Sequence, residues 1–121
     1  GSVLVVDDEP SVRMLITDVL EEMGYHVVQA ADSMTGLSIL QSDARLDLLI
    51  SDVGLPGGMN GRQMADAGRT TRPELKVLFI TGYAENAMLN EAHLDTATSV
   101  LTKPFNIGIL TERVKEMIAS A

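Results

Sequence analysis

The chain has no cysteine and no tryptophan. Without thiols there can be no disulfide framework, no thiolate metal ligand and no cysteine nucleophile. That composition suits a reducing interior and sets the expectation of a cytoplasmic protein. Aromatic residues make up only 3% of the chain, so stacking platforms for bases or flavins are scarce. Basic residues are few: nine Lys and Arg stand against seventeen Asp and Glu, for a net charge of −8. Nonspecific nucleic-acid binding needs a basic surface and is therefore not expected. No apolar run approaches the roughly 18 to 20 residues of a membrane span, so no membrane contact is expected. The first apolar run, Val3–Val6, is four residues long without a basic flank, unlike a signal peptide. Linkers, internal repeats and low-complexity stretches are also missing. Gly1-Ser2 has the form of a cloning scar, which leaves residues 3–121 as one domain.

What is present alternates. Short β-type runs occur at Val3–Val6, His26–Gln29, Leu46–Ile50, Val77–Ile80 and Ser99–Leu101. Most are continuous apolar runs, as expected for strands covered on both faces. Between them lie helical patterns. Val12, Leu15, Ile16, Val19, Leu20 and Met23 form one stripe at helical period, with Pro10 in the first turn and Gly24 just past the end. Further helices are expected over Ser33–Gln41, from Asn60 onward, near Ala84–Ala92 and over Asn106–Ala119. Asn60 with Gln63 three positions on has the form of a capping box. The pattern is (βα)5, which implies an α/β fold with a doubly wound parallel five-stranded sheet and helices on both faces.

Such sheets place their sites at the carboxyl ends of the strands. The first expected strand runs into Asp7-Asp8, the third into Ser51-Asp52, the fourth into Thr81 and the fifth into Thr102-Lys103-Pro104. In a parallel sheet these ends share one edge, where three carboxylates, a hydroxyl and an ammonium converge. Taken singly, each residue reads as a turn, a cap or a solvated charge. Jointly, at four separate strand ends, they read as a site. Two like charges 4 Å apart cost roughly 4 kcal/mol at an effective dielectric of 20. Such a cluster either keeps protons or binds a cation. Oxygen-only ligands favour Mg²⁺ or Mn²⁺. A cation beside Lys103 and Thr81 suits a phosphoryl group, with Asp52 as the nucleophile that becomes an aspartyl phosphate.

The motifs VLVVDDEP, LLISDVGLPGGMNG, VLFITGY and LTKPF together resemble the receiver domain of two-component response regulators, over Val3 to Ala119. The resemblance implies a flavodoxin-like sheet of order 2-1-3-4-5. It implies that Asp52 is the phosphoacceptor for a kinase or phosphotransferase histidine. Asp7, Asp8, Asp52 and the backbone carbonyl of Gly54 would hold the metal, Asp8 directly and Asp7 mostly through water. Thr81 and Lys103 would meet the phosphoryl group, and Pro104 would follow a cis peptide. Partners would be a histidine kinase or a histidine phosphotransfer domain, with output through the fourth helix, fifth strand and fifth helix. The weak apolar pattern of Ala84, Ala87 and Met88 suits a helix that shifts on phosphorylation. The domain would be a phosphoacceptor and not a turnover enzyme.

Three features depart from the family's wording. Val100 stands where an aromatic switch residue is usual. The loop after Asp52 carries an extra glycine, with Asn60 in place of aspartate. Gly54 and Gly82 leave the pocket little side-chain cover beside Tyr83. The wording LPGGMNG and ITGYAENA resembles receivers fused to hybrid histidine kinases, so a single-domain regulator and a C-terminal piece of such a kinase are both open. Rival readings are a degenerate receiver that only binds partners, an aspartyl-nucleophile phosphatase and a flavin module. The phosphatase would need Asp-x-Asp after the first strand, and the flavin module a Ser/Thr/Gly-rich first loop. Asp7-Asp8-Glu9-Pro10 is neither.

Overall fold

The five aliphatic runs form the strands of a single parallel sheet. The computed structural model describes residues 1–82 and 97–119. In chain order its elements are β1 (Ser2–Val6), α1 (Pro10–Glu22), β2 (His26–Ala30), α2 (Ser33–Leu40), β3 (Leu48–Asp52), α3 (Gly61–Thr71), β4 (Val77–Thr81), β5 (Thr98–Thr102) and α4 (Ile107–Ala119). The strand order is β2-β1-β3-β4-β5 and every pairing is parallel. This is the flavodoxin-like order that the resemblance implied. The expected helix near Ala84–Ala92, and Tyr83 before it, lie outside the described residues.

Residues alternate across the strands and build two cores. Leu4, Val6, Leu49, Val77 and Phe79 face α2 and α3 through Leu40, Met64 and Ala65. Val3, Val5, Leu48, Ile50, Leu78, Ile80 and Leu101 face α1 and α4 through Ile16, Leu20, Leu110, Val114 and Met117. Burial on both faces explains why the strands read as unbroken apolar runs. The stripe read on the first helix is only partly buried. Ile16 and Leu20 are sealed, Val12, Val19 and Met23 are half-buried, and Leu15 is 46% exposed. The sheet-facing strip of α1 takes in Thr17 instead, at 3% exposure.

Local chemistry sets the ends of these elements. Pro10 opens α1, and Gly24 (φ 96°) closes it. The N–H groups of Gly24 and Tyr25 donate to the carbonyls of Glu21 and Leu20, the paired bonds of a Schellman end. Asn60 caps α3 in the expected box: its side chain accepts from the Gln63 N–H, and the Gln63 side chain accepts from the Asn60 N–H. Gly57 and Gly58 hold φ of 94° and 88°, backbone that glycine adopts without steric cost. The third strand runs Leu48–Asp52, two residues later than the apolar pattern implied. Asp47 is drawn instead to the chain start, where its carboxylate accepts from the Ser2 N–H at 2.7 Å. Ser51 and Asp52 continue the ladder opposite Phe79 and Ile80. Asp52 is thus the last residue of a central strand and not part of the loop beyond it.

Beyond β3 the chain turns back sharply. The Gly61 N–H donates to the Val53 carbonyl at 2.9 Å. A Cβ at Gly61 would lie 2.1 Å from the Asp52 carbonyl oxygen and 2.8 Å from Ser51 Oγ. Gly68, about two turns further along the same face of α3, is also tight, but its nearest neighbour is the Leu40 Cδ1 methyl at 2.7 Å. A methyl can rotate away; a strand carbonyl cannot. Gly61→Ala is therefore expected to cost about 3 kcal/mol, as overpacking against rigid backbone does. Gly68→Ala should cost under about 1 kcal/mol, because the gain in helix propensity offsets part of the clash. Urea unfolding of the two variants would check the order; equal losses would show that Gly61 is not specially constrained.

Candidate functional site

Parallel strands deliver their carboxyl ends to one edge of the sheet, and four of the five deliver polar residues there. Asp7 follows β1, Asp52 ends β3, Thr81 ends β4 and Lys103 follows β5. Asp7 and Asp52 are 2% and 4% exposed, and Thr81 is sealed. Asp8 beside them is exposed. Carboxylate oxygens of Asp7, Asp8 and Asp52 lie within 4.8 Å of one another. Lys103 Nζ reaches Asp52 Oδ2 at 3.1 Å, and the Lys103 N–H donates to the Thr81 carbonyl at 2.7 Å. The expected convergence is therefore present. The Lys103–Pro104 peptide is cis, as the resemblance implied.

The backbone orients each buried acid. The Gly54 N–H donates to Asp52 Oδ1 at 3.0 Å, so with Lys103 on Oδ2 each carboxylate oxygen has a donor. The Glu9 N–H donates to Asp7 Oδ1 at 2.8 Å. The Ser51 hydroxyl donates to the Asp52 carbonyl at 2.9 Å, and Arg13 donates to the Asp7 carbonyl at 2.6 Å. Sequence reasoning places Ser51 at the strand end without a role and does not reach Arg13. Arg13 sits within an ordinary helical pattern, and nothing in its spacing shows that its head turns back to the strand end.

The electrostatics are unfavourable for acids alone. Burial pushes the Asp7 carboxyl up to about 6; the Glu9 N–H opposes the rise, the charges of Asp52 and Asp8 add to it, and Lys103 opposes it. For Lys103, burial works toward a lower value, but the hydrogen bond and charge of Asp52, with Asp7 and Glu9, outweigh it and raise the ammonium above its usual range. One ammonium cannot neutralise three carboxylates. The donor set is all oxygen, which fits a hard divalent cation such as Mg²⁺ or Mn²⁺. Thr81 Oγ1 is buried and, among the described residues, has no hydrogen-bond partner. A buried hydroxyl without a partner is rare in folded proteins, and this one lies at the same sheet edge as the three carboxylates.

One lip of the site is apolar. Val12 and Leu15 of α1 face Pro104, Phe105 and Ile107 across a groove that begins at Lys103. This accounts for the exposure of Leu15. Val100, in the position usual for an aromatic, is half-buried against the α2–α3 core. Among the described residues no helix is long and apolar enough to cross a membrane.

The Asp7 value has a consequence for stability. Its ordinary carboxylate value is 3.8 and its folded value is about 6, so the folded state holds the proton more tightly. The resulting contribution is full below about pH 4 and is lost as pH rises to about 6. In cation-free buffer near pH 7.5, Asp7→Asn should be more stable than wild type by roughly 1 to 3 kcal/mol, at 1.36 kcal/mol per unit. The gain should shrink toward pH 4. Thermal or urea unfolding across this range is the check, and a pH-independent difference would contradict the assignment.

Comparison with known proteins agrees with this geometry. A family model, the response regulator receiver domain, matches residues 3–115. The sensor kinase CckA of Brucella abortus is 36% identical over 119 residues, covering 98% of this chain but 12% of that protein. The chain therefore spans only a small part of that relative. Sporulation initiation phosphotransferase F of Bacillus subtilis is 30% identical over 116 residues, 96% of this chain and 92% of that one. The crystal structure of response regulator protein TrrA from Thermotoga maritima, in complex with Mg²⁺ and BeF, matches with a TM-score of 0.80 at 30% identity. The match covers 97% of this chain and 98% of TrrA. The chain belongs to the response regulator receiver domain family of two-component signalling.

Proposed function

We propose that this domain takes a phosphoryl group from a phosphohistidine onto Asp52. The observation that carries the reading is the Asp52 carboxylate at the end of a central strand, held at 3.1 Å by Lys103 Nζ and flanked by two further acids. In the transfer, a carboxylate oxygen of Asp52 attacks phosphorus. The bond from phosphorus to the donor imidazole nitrogen breaks, and the nitrogen keeps the electron pair. An acyl phosphate is left on Asp52. Mg²⁺ or Mn²⁺, when bound, would supply charge neutralisation for the acids and the phosphoryl oxygens. Asp7, Asp8, Asp52 and the Gly54 carbonyl would hold it. Lys103 would follow the negative charge as it moves from the carboxylate to the phosphoryl oxygens. Thr81, whose hydroxyl has no partner among the described residues, would donate to one of those oxygens.

The donor is a histidine kinase or a histidine phosphotransfer domain. The relatives support this: one is a sensor kinase and another is a phosphotransferase. The apolar groove between α1 and the Pro104–Ile107 segment shares Lys103 with the site, so a donor helix seated there would bring its histidine to Asp52. The domain then acts once per signalling event rather than turning over as an enzyme. Output would pass through the expected helix near Ala84–Ala92, β5 and α4.

Two experiments test this. Acetyl phosphate or beryllofluoride with Mg²⁺ should change the amide spectra of the wild type, including residues 97–105. The response should vanish with Asp52→Asn or with EDTA. A response that survives Asp52→Asn would overturn the reading. Second, Leu15→Asp should slow transfer from a phosphohistidine donor about tenfold or more, while slowing uptake from acetyl phosphate much less, because only the macromolecular donor needs the groove. Equal effects on the two donors would remove the groove from the mechanism.

A further inference from the structure

Arg13 stands out among the polar contacts near the site because its head turns back to a strand end. Its Nη1 donates to the Asp7 carbonyl at 2.6 Å and its Nε to Gln29 Oε1 at 3.2 Å. Its own N–H donates to the Glu9 carbonyl at 3.0 Å, the first turn of α1. One side chain thus joins α1, the β1–α1 turn and β2.

The carbonyl it holds lies in the peptide plane that links Asp7 to Asp8. On one side of that plane stands the buried acid and on the other the exposed one. β1 has ended at Val6, paired with Ala30 on one flank and Ser51 on the other. The Asp7 N–H still reaches the Ala30 carbonyl at 3.2 Å, but β2 stops at Ala30. The strand ladder therefore offers nothing further to fix this plane, and a buried carbonyl needs a donor. Rotation of the plane would swing both acids at once.

We propose that Arg13 is a positioning residue for the cation site, acting by clamping the Asp7–Asp8 peptide. The inference rests on the reading of Asp7, Asp8 and Asp52 as the cation ligands. It makes a prediction opposite in sign to simple electrostatics. A guanidinium near a cation site repels the incoming ion, so loss of its charge alone would tighten Mg²⁺ binding. Loss of the clamp loosens it, since outer partners that orient ligands commonly carry tenfold or more in metal affinity.

Titration calorimetry with Mg²⁺ on wild type, Arg13→Lys and Arg13→Ala decides between them, with circular dichroism confirming that each is folded. The expected order of affinity is wild type, then Lys, then Ala, with Ala weaker by about tenfold. The Asp8 amide, which shares the clamped plane, should shift in ¹⁵N spectra of Arg13→Ala. Mg²⁺ affinity in Arg13→Ala equal to or above wild type overturns the proposal. If Arg13→Ala does not fold, Gln29→Ala removes only the outer anchor of the guanidinium. A weakening of about threefold is then expected, and an unchanged affinity overturns the proposal. Should the wild type itself fail to bind Mg²⁺, or bind it independently of Asp52, the phosphoacceptor reading falls and this inference with it. A wild type that binds normally beside an unaltered Arg13→Ala removes the clamp alone.

Discussion

The structure turns on an unresolved repulsion. Asp7 and Asp52 are buried, Asp8 adjoins them, and their oxygens come within 4.8 Å of one another. Each such pair costs several kcal/mol at a protein-like dielectric, and Lys103 answers only one of the three charges. The fold holds these acids together because their strands are stapled into a sheet with two sealed cores. The repulsion can be relieved by protons, which is the sense of the raised Asp7 value, or by a cation. On the proposed reading, a phosphoryl group on Asp52 would change the balance again by adding negative oxygens within reach of the same ammonium. A site poised in this way responds to ligands because it is not satisfied by itself.

The surrounding structure keeps that poise from relaxing. Gly61 lets α3 begin against the backbone of Asp52, and the Ser51 hydroxyl holds the same carbonyl. The Gly54 and Glu9 N–H groups orient the two buried carboxylates. Arginines repeatedly take over where strands and helices run out of regular partners. Arg72 gathers the carbonyls of Leu40, Ser42 and Ala44 between α2 and β3. Arg69 gathers those of Leu75 and Ala97 between α3 and β5. Arg13 does the same at the edge where the acids meet.

Much of this was legible. The unbroken apolar runs marked buried parallel strands, Asn60 with Gln63 marked the start of α3, and Gly24 marked the end of α1. The acids, Thr81 and Lys103 could be placed at one edge because the side of a parallel sheet on which strands end is a matter of topology. The misjudged details were those decided by competition between partners. Asp47 appeared to interrupt a strand, yet it pairs with the chain start and leaves the strand to begin at Leu48. Leu15 fitted the helical stripe, yet it faces an open groove, because periodicity gives the apolar side of a helix but not the width of what covers it.

The linear order of residues was enough to determine the alternation of elements, the two-sided core and the identity of the converging groups, since each depends on local periodicity and chain direction. Only the folded chain decided which atoms meet. The donors on Asp52, the hydroxyl of Thr81 left without a partner among the described residues and the grip of Arg13 on the Asp7 carbonyl depend on angles between elements distant in sequence. Hydrogen bonds are sensitive to tenths of an ångström, and no spacing along the chain encodes that.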